Sequence, residues 1–219
     1  MVTKITHAYV GLGSNLGDRA GNLLLAVGGM LDAGLRVTRL SSVYETEPVG
    51  VSTAQPLFLN MVAELALVIP NDDAENAAAG ADAIDDDVDA AANADAAITT
   101  APPPSPEQLL ARLLRIEYRL GRRRDAPPLM SPAPRTVDLD LLLYGDALSA
   151  TEYLTLPHPR LHLRRFVLAP LAELAPELTH PTLGRSFAAL LSELSDASVV
   201  ARWSPTRGRS DRPDGEIFN

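Results

Sequence analysis

The spacing of apolar and polar residues along the chain predicts a small set of helices and strands. Runs in which apolar and polar positions alternate indicate strands, whereas apolar residues three and four positions apart indicate helices. The predicted elements are a strand at 6–13, a helix at 17–34, strands at 35–46 and 58–69, a helix at 105–121 and a strand at 136–145. This β-α-β-β-α-β order is typical of a ferredoxin-like α+β sandwich, with shorter elements added after residue 150.

The helix predicted at 105–121 has signals at both of its ends. Ser105 and Gln108 have the spacing of a capping box, and Pro106 lies in the first turn, where its missing N–H has no intrahelical partner to lose. Gly121 follows the last apolar position and is predicted to end the helix. The arginine-rich residues that come next are therefore expected to form a connection.

Two segments lack the apolar content that a packed core requires. Residues 70–105 are rich in Ala and Asp, contain no aromatic residue and include a proline run near their end, which predicts a disordered insertion. A calcium-binding loop is the alternative for the Asp-rich part, but it lacks the glycine and closing glutamate of an EF-hand loop. Residues 201–219 are predicted to be a flexible tail, so that 1–219 form a single domain with these two additions.

Composition and charge exclude several classes of protein. The 219 residues include no cysteine, which excludes disulfides and cysteine-based metal sites, and no apolar stretch has the length of a membrane span. We therefore expect a cytoplasmic protein with no membrane partner. The net charge of −9 arises from nine acidic residues between Asp72 and Asp95, since the remainder has 19 acidic and 19 basic residues. The basic residues cluster locally, which favours a compact anion site over a nucleic-acid surface.

The strand predicted at 136–145 places two carboxylates on one face. Side chains alternate along a strand, so Asp138 and Asp140 would share one face and the intervening apolar residues, up to Leu143, the other. Two like charges this close repel each other and lose hydration unless a cation lies between them. Mg²⁺ is suited to such a pair, because it completes its shell with water and phosphate oxygens. The alternative is a strand whose polar face meets solvent.

Basic residues lie on both sides of this strand. The connection at 121–135 contains four arginines and four prolines and leads directly into Asp138 and Asp140. A long arginine-rich connection beside a metal-binding pair suits a polyphosphate, although a solvated basic loop is the alternative. After the strand, prolines flank His158, which favours a hydrogen bond to phosphate or ribose over a helical zinc site with His162.

Three glycines near the start of the chain invite comparison with a dinucleotide-binding fingerprint. Gly11, Gly13 and Gly17 follow a predicted strand and precede a predicted helix. The spacing G-x-G-x-x-x-G and the lack of a repeated βαβ pattern argue against a Rossmann site. We interpret the glycines as residues of a tight strand-to-helix turn, whose backbone amides could face a ligand.

Six segments, taken together, resemble the 6-hydroxymethyl-7,8-dihydropterin pyrophosphokinases of folate biosynthesis. In chain order they are GLGSNLGD, SSVYETEPVG, FLN, RIEYRLGRRR, PRTVDLDLLLYG and LPHPRLHLRRFVLAPLAELAP. The resemblance covers residues 6–195 apart from the insertion. It implies that a pyrophosphoryl group passes from MgATP to the hydroxymethyl oxygen of the pterin, with release of AMP. We expect the enzyme to be a monomer.

The resemblance also implies roles for individual residues. Asp138 and Asp140 would bind two magnesium ions and would act in catalysis together with Arg122 and Arg135. The residues matching ATP contacts are Glu117, Arg122, Arg124, Arg135, His158 and Arg164. The residues matching pterin contacts are the backbone of Thr46 and Val49, the amide of Asn60, and the rings of Phe58 and Phe166. No general base is evident, so catalysis would depend on positioning and electrostatics.

The chain departs from the family pattern at three places. Residues 131–135 read Ser-Pro-Ala-Pro-Arg where the family usually has Arg-Trp-Gly-Pro-Arg, so the tryptophan that covers the pterin has no counterpart at this position. Glu47 replaces a common proline, and Leu114 stands where a glutamine often contacts adenine. These differences concern substrate contacts and leave the two aspartates in place.

Two rival functions remain open at this point. A non-catalytic ligand-binding domain of the same fold would need neither the carboxylate pair nor the arginines, and magnesium-dependent ATP consumption would distinguish it from an enzyme. A two-metal nucleotidyl transferase would use the same groups but attack the α-phosphate, so that pyrophosphate is released in place of AMP.

Overall fold

The structure, a computed structural model, describes five stretches of the chain: 3–50, 55–70, 102–122, 134–196 and 198–205. The insertion predicted at 70–105 lies almost entirely outside these stretches, and Arg124 lies outside them as well. Within the described stretches, no helix has the length and apolar character needed to cross a membrane.

The described residues form helices and strands close to the predicted ones. In chain order these are β1 (Thr3–Ser14), α1 (Arg19–Asp32), β2 (Arg36–Leu40), β3 (Tyr44–Thr46), β4 (Phe58–Pro70), α2 (Pro106–Arg119), β5 (Asp138–Tyr144), β6 (Ser149–Ala150), β7 (Thr155–Leu156), α3 (Arg165–Leu174), α4 (Phe187–Glu193) and β8 (Val200–Arg202). A short 3-10 helix at Leu161–Leu163 precedes α3. The additional elements after residue 150 follow the predicted core of the fold.

The main sheet is antiparallel and has the strand order of a ferredoxin-like fold. Strand β5 pairs with β1, β1 pairs with β4, and β4 pairs with both β2 and β3. Strand β8 extends the sheet beyond β3, while β6 and β7 form a separate two-stranded sheet. The predicted ferredoxin-like α+β sandwich is therefore confirmed.

The single strand predicted at 35–46 is wrong, because the chain forms β2 and β3 with a break at Ser41. The backbone N–H of Ser41 donates to the Val62 carbonyl at 2.9 Å. Its Oγ accepts from the Val62 N–H, also at 2.9 Å. A side-chain oxygen thus takes the place of a backbone carbonyl in the ladder, and both short strands still pair with β4.

Helices cover both faces of the sheet, but to different extents. Helices α1 and α2 cover one face and pack closely against each other, since a Cβ on Gly29 of α1 would lie 2.9 Å from Ile116 Cγ2 of α2. Helices α3 and α4 cover part of the other face, where Leu168 and Phe187 are fully buried. The second face is therefore only partly covered by helices, and β5 is accessible there.

Leu143 does not share a face with the preceding odd-numbered residues of β5, as simple alternation predicts. Tyr9 lies opposite Leu143, but the next residue, Val10, lies opposite Leu141. This β-bulge adds one residue to β5 and reverses the direction of the side chains beyond it. Leu143 consequently packs with Tyr9 in the core under α3 and α4.

The segment predicted as a flexible tail begins with an ordered strand. Ala201 and Arg202 belong to β8, which pairs with β3, and the N–H of Trp203 donates to the Val43 carbonyl at 2.8 Å. Strand β3 would otherwise present an unpaired edge, which explains why this segment adds to it. The prediction is therefore wrong for the start of the tail, while residues 206–219 lie outside the described part of the chain.

Candidate active site

A pocket of about 420 Å³ lies over the central strands on the partly covered face. Its lining includes Gly11 and Gly13 from β1, Asn60 from β4, and Asp138 and Asp140 from β5. The register places Gly13 opposite both Asn60 and Asp138, and Gly11 opposite Asp140. The interpretation of the first two glycines as turn residues is therefore wrong, because both lie within a strand at the floor of the pocket.

The glycine at position 13 makes room for a neighbouring side chain. A Cβ on Gly13 would lie 2.9 Å from Asn60 Oδ1, a distance that no relaxed structure allows. Asn60 Nδ2 donates to Thr46 Oγ1 at 2.7 Å, and this bond holds the amide in place. Gly17, whose φ is +65°, is the glycine that serves the turn into α1.

Both carboxylates of β5 face the pocket, as predicted, but their surroundings differ. Asp138 Oδ1 accepts from Arg122 Nη1, and Asp138 Oδ2 lies 3.3 Å from Arg135 Nη1. Asp140 has no ion-pair partner within the described stretches. Burial, followed by the charge of Asp138, raises the pKa of the Asp140 carboxyl to about 6. A divalent cation between the two carboxylates would remove this electrostatic cost.

The polar groups here fit a magnesium site that is completed by substrate. Across the described residues, no group of three or more His, Cys, Asp and Glu side chains could hold a metal ion by itself. A pair of carboxylates suits Mg²⁺, which binds water and phosphate oxygens in its remaining positions. Arg135 Nε supports this arrangement, because it is buried without a hydrogen-bond acceptor in the described structure and a phosphate oxygen would supply one.

Glu117 lies beneath the pocket and joins two of its parts. The side chain projects from the last turn of α2 and is almost completely buried. Its Oε1 accepts from the N–H of Leu139 at 2.8 Å and also from Arg122 Nη1. Burial lowers the pKa of Arg122, but Asp138 and Glu117 raise it by more, so that the guanidinium stays charged. One carboxylate thus fixes both the strand between the aspartates and the arginine that contacts Asp138.

Asn15 holds Arg135 in position from the other side. Asn15 Oδ1 accepts from the N–H of Arg135 at 2.9 Å, and the N–H of Asn15 donates to the Arg135 carbonyl at 3.3 Å. Asn15 Nδ2 donates to Gln55 Oε1 at 3.2 Å. Asn15 has no predicted role, although it lies within the glycine-containing segment GLGSNLGD. Its partner is 120 residues away, so no local pattern could have revealed the contact.

His158, Arg160 and Arg164 form the wall of the pocket next to α3. The N–H of His158 donates to the Leu142 carbonyl at 2.9 Å, which fixes the histidine beside β5. Burial and then the charges of Arg164 and Arg160 lower the pKa of His158 to about 4. His158 Nδ1 accepts from the N–H of Arg160 at 3.3 Å, so the neutral ring carries its proton on Nε2. At neutral pH the imidazole is therefore a hydrogen-bond donor without charge.

Two phenylalanines make the rest of the pocket suitable for a flat ring. Arg135 Cζ lies 5.8 Å from the centre of the Phe58 ring, and Arg164 Cζ lies 5.4 Å from the centre of the Phe166 ring. The Asn60 amide, which offers a donor and an acceptor, faces the same pocket. Aromatic faces together with a fixed amide are suited to a planar heterocycle that has a polar edge.

Comparisons with known proteins agree with this geometry. The sequence profile of 7,8-dihydro-6-hydroxymethylpterin-pyrophosphokinase (HPPK) matches residues 9–84 and 76–176. The 2-amino-4-hydroxy-6-hydroxymethyldihydropteridine pyrophosphokinase of Bacillus subtilis is 36% identical over 172 residues, which cover 78% of this chain and 79% of that protein. The folic acid synthesis protein fol1 of Pneumocystis carinii is 31% identical over 191 residues, which cover 87% of this chain but 20% of that protein.

A solved structure of HPPK-DHPS from Plasmodium falciparum has the same fold, with a TM-score of 0.55 and 12% identity over 87% of this chain. The chain belongs to the HPPK family. The predicted ATP-dependent pyrophosphokinase of folate biosynthesis is thereby confirmed. This HPPK chain spans a fifth of the fol1 protein and 45% of the Plasmodium chain.

The HPPK pocket brings together most of the predicted site residues. Those that line it are Thr46, Val49, Phe58, Asn60, Arg122, Arg135, Asp138, Asp140, His158, Arg164 and Phe166. Glu117 is not part of this lining, and Arg124 lies outside the described residues. Sequence reasoning missed the glycines of the floor and Arg160, which its position between His158 and Arg164 could have revealed.

Proposed function

We propose that this HPPK transfers the β- and γ-phosphoryl groups of ATP together to the hydroxymethyl oxygen of 6-hydroxymethyl-7,8-dihydropterin. The observation that carries this proposal is that one pocket is lined by a carboxylate pair flanked by arginines and also by an amide and two aromatic rings. The first group of residues suits a metal-bound triphosphate, and the second suits a pterin. The two substrates would meet above β1 and β5.

Asp138 and Asp140 are proposed to hold two magnesium ions together with ATP. When bound, the ions supply positive charge that offsets the charge of the triphosphate and helps to align the attacking oxygen. Asp140 supports this role because its burial without an ion-pair partner in the described structure is costly unless a cation is present. Family membership supports ATP as co-substrate and magnesium as the cation, and the number of ions is our proposal.

The basic residues are proposed to orient the triphosphate. Arg135 would use its buried Nε to donate to a phosphate oxygen, and Arg164 would neutralise a second one. His158 would donate from Nε2 while it stays neutral. Because the guanidinium groups are held by neighbouring side chains before substrate arrives, catalysis would come from positioning and electrostatics.

The amide of Asn60 is proposed to select the pterin. Its bond to Thr46 fixes the direction of both the acceptor Oδ1 and the remaining hydrogen of Nδ2. Phe58 and Phe166 would contact the faces of the ring. This arrangement would leave the hydroxymethyl group directed toward Asp138 and Asp140, where the phosphates are expected.

Product analysis tests this proposal. The protein is incubated with ATP, Mg²⁺ and the reduced pterin, and the nucleotides and pterins are separated by chromatography. We expect AMP to appear in step with a diphosphorylated pterin. Pterin-dependent ADP would indicate an ordinary kinase, free pyrophosphate would indicate a nucleotidyl transferase, and no ATP consumption would indicate a binding domain. Any of these three results would contradict the proposal.

The oligomeric state is also a proposal. We propose that the enzyme acts as a monomer, because the carboxylate pair, the arginines and the pterin-type contacts of the described pocket leave no proposed substrate contact for a second chain to supply. Light scattering coupled to size exclusion, with and without substrates, should give the mass of one chain. A stable dimer would contradict this. The cytoplasmic location stays a prediction.

A further inference from the structure

In the described structure, arginines contact both oxygens of Asp138. Arg122 donates to Oδ1, and Arg135 lies 3.3 Å from Oδ2. A metal ion that coordinates Asp138 needs at least one of these oxygens. A carboxylate oxygen can accept from a guanidinium and still bind a cation through its other lone pair, but the positive charge of the guanidinium repels the cation. A metal should therefore bind Asp138 more tightly once one arginine has moved away.

Arg122 differs from Arg135 because it has a second carboxylate partner. Its Nη1 is shared between Asp138 and Glu117, and Glu117 is fixed by the N–H of Leu139 at 2.8 Å. Arg122 can therefore release Asp138 without losing every ionic partner. Glu117 also keeps the guanidinium within reach of the pocket, where the phosphates of a nucleotide are expected.

We propose that Arg122, anchored by Glu117, takes the place of a metal ion at Asp138 in the free enzyme and transfers to a phosphate oxygen when ATP binds. This inference rests on the proposed function for the role of Asp138 as a metal ligand. In this arrangement Glu117 is a positioning residue that acts through Arg122, in place of the nucleotide contact that the family resemblance implies. Divalent cations would then bind weakly without nucleotide and tightly with it.

The experiment measures Mn²⁺ binding by electron paramagnetic resonance of the free ion, without pterin and without turnover. Each protein is titrated alone and again with α,β-methylene ATP, an analogue that cannot be cleaved between the α- and β-phosphates. For Arg122→Met without nucleotide, we expect Mn²⁺ affinity to rise at least about tenfold, because one charge-assisted competitor for Asp138 is gone. With the analogue, the same variant should lose affinity, because a phosphate partner is missing.

Two further variants separate this role from a general effect of charge. Arg160→Gln removes a positive charge from the same pocket, but Arg160 makes no ion pair with Asp138 among the described contacts. It should change Mn²⁺ affinity without nucleotide by less than about threefold. Arg122→Lys keeps the charge but replaces the planar guanidinium by a compact ammonium on a flexible side chain, so it should hold Asp138 less firmly and show part of the gain in Mn²⁺ affinity. This variant replaces Arg122→Met in the experiment if Arg122→Met fails to fold.

The role of Glu117 is tested in the same way. Glu117→Gln keeps an oxygen for the N–H of Leu139 but removes the charge that competes with Asp138 for Arg122. The variant should therefore bind Mn²⁺ more weakly than the wild type in the absence of nucleotide. In combination with Arg122→Met, most of this effect should disappear, because the effect acts through the arginine. A purely structural role for Glu117 would give the same effect in both backgrounds.

The possible outcomes separate the two proposals. In one outcome, the wild type binds Mn²⁺ in the presence of the analogue, but in its absence Arg122→Met binds Mn²⁺ no more tightly than Arg160→Gln does. The proposed metal site would then be supported, and the proposal that Arg122 takes the place of the metal ion would be wrong. If no protein binds Mn²⁺ even with the analogue, the proposed function fails and this inference fails with it. If Arg122→Met raises Mn²⁺ affinity without nucleotide and lowers it with the analogue, the proposal that Arg122 takes the place of the metal ion is supported.

Discussion

Replacing Asp140 by asparagine should make the metal-free protein more stable while it abolishes turnover. Asp140 is partly buried, has no ion-pair partner within the described residues, and lies next to the charge of Asp138. Asparagine has nearly the same size but no charge, so Asp140→Asn removes the repulsion without creating a cavity. The same change removes a proposed magnesium ligand, so turnover should fall by several orders of magnitude.

The raised pKa of Asp140 gives the magnitude of the gain. Its carboxyl has a pKa of about 6 in the folded protein and an ordinary value of 3.8. The folded state therefore holds the proton more tightly than the unfolded state. Ionising Asp140 therefore lowers the free energy of unfolding. This cost is absent below about pH 4, grows as the pH rises toward 6, and reaches its full value above pH 6. A shift of this size corresponds to about 3 kcal/mol of unfolding free energy.

Urea denaturation in EDTA measures this effect at several pH values between 4 and 8. The unfolding free energy of Asp140→Asn should exceed that of the wild type by up to about 3 kcal/mol at pH 8 and should approach it near pH 4. Comparing the two proteins cancels the titration of those groups that do not interact with Asp140. Asp146→Asn makes the same chemical change at an exposed position and should have little effect on stability at any pH.

Two results would refute this reasoning. A loss of stability in Asp140→Asn at pH 8 would mean that the carboxylate is stabilised by contacts in the folded protein. A difference that does not change between pH 4 and pH 8 would mean that its pKa is not raised. Near-normal turnover at saturating magnesium would separately contradict the assignment of Asp140 as a metal ligand.

Three other predictions address the glycines at the floor of the pocket, the partly buried His158 and the insertion. Gly13→Ala should raise KM for the pterin at least about tenfold, because the added Cβ displaces Asn60. Gly28→Ala is the matched control, since a Cβ at this position meets open space, and it should raise the free energy of unfolding by about 1 kcal/mol. Because the pKa of His158 is lowered to about 4, its neutral form stabilises the folded protein fully above pH 6.5, and this contribution is lost as the pH falls toward 4. In His158→Gln the melting temperature should therefore fall less steeply between pH 6.5 and pH 4 than in the wild type. Deleting residues 72–103 should leave melting temperature and turnover nearly unchanged, because loop-closure entropy varies slowly with length, and loss of folding would show that the segment packs on the core.

The parts of the fold that depend on neighbouring residues were predictable from sequence. The capping box of α2 is present, with Ser105 Oγ accepting from the N–H of Gln108 at 3.2 Å and Gln108 Oε1 accepting from the N–H of Ser105 at 3.0 Å. Helix α2 extends over Pro106–Arg119, close to its predicted bounds. The donor and the acceptor of each bond are three residues apart in the chain, so both partners can be recognised from the local sequence.

The parts that depend on distant partners were not predictable. The break between β2 and β3 requires a bond from Ser41 to Val62, and the bulge that redirects Leu143 depends on its register with β1. Alternation within one strand cannot show where a neighbouring strand shifts its register. Strand β8 likewise forms because the edge of β3 is available, a fact that the composition of the C-terminal segment does not reveal.

For the site, the sequence indicated which residue types would act, but it gave less information about where those residues lie relative to one another. Asp138 and Asp140 were assigned to one face from alternation alone, and both face the pocket. Their proximity to Asn60 and His158 came from the resemblance of six segments, since residues on separate elements meet only in the fold. The position of Glu117 beneath the pocket could not be inferred from either source, because its contact with Leu139 depends on how α2 packs against β5.

The proposed function requires the pterin hydroxyl to attack the β-phosphorus of ATP, and isotope labelling shows which phosphorus is attacked. ATP carrying ¹⁸O in the bridge between the α- and β-phosphates is converted in the presence of Mg²⁺ and the reduced pterin, and both products are examined by mass spectrometry. Attack at the β-phosphorus breaks its bond to the bridging oxygen, so the label should be recovered in AMP. Label in released pyrophosphate, with adenylate on the pterin, would show attack at the α-phosphorus and would contradict the account.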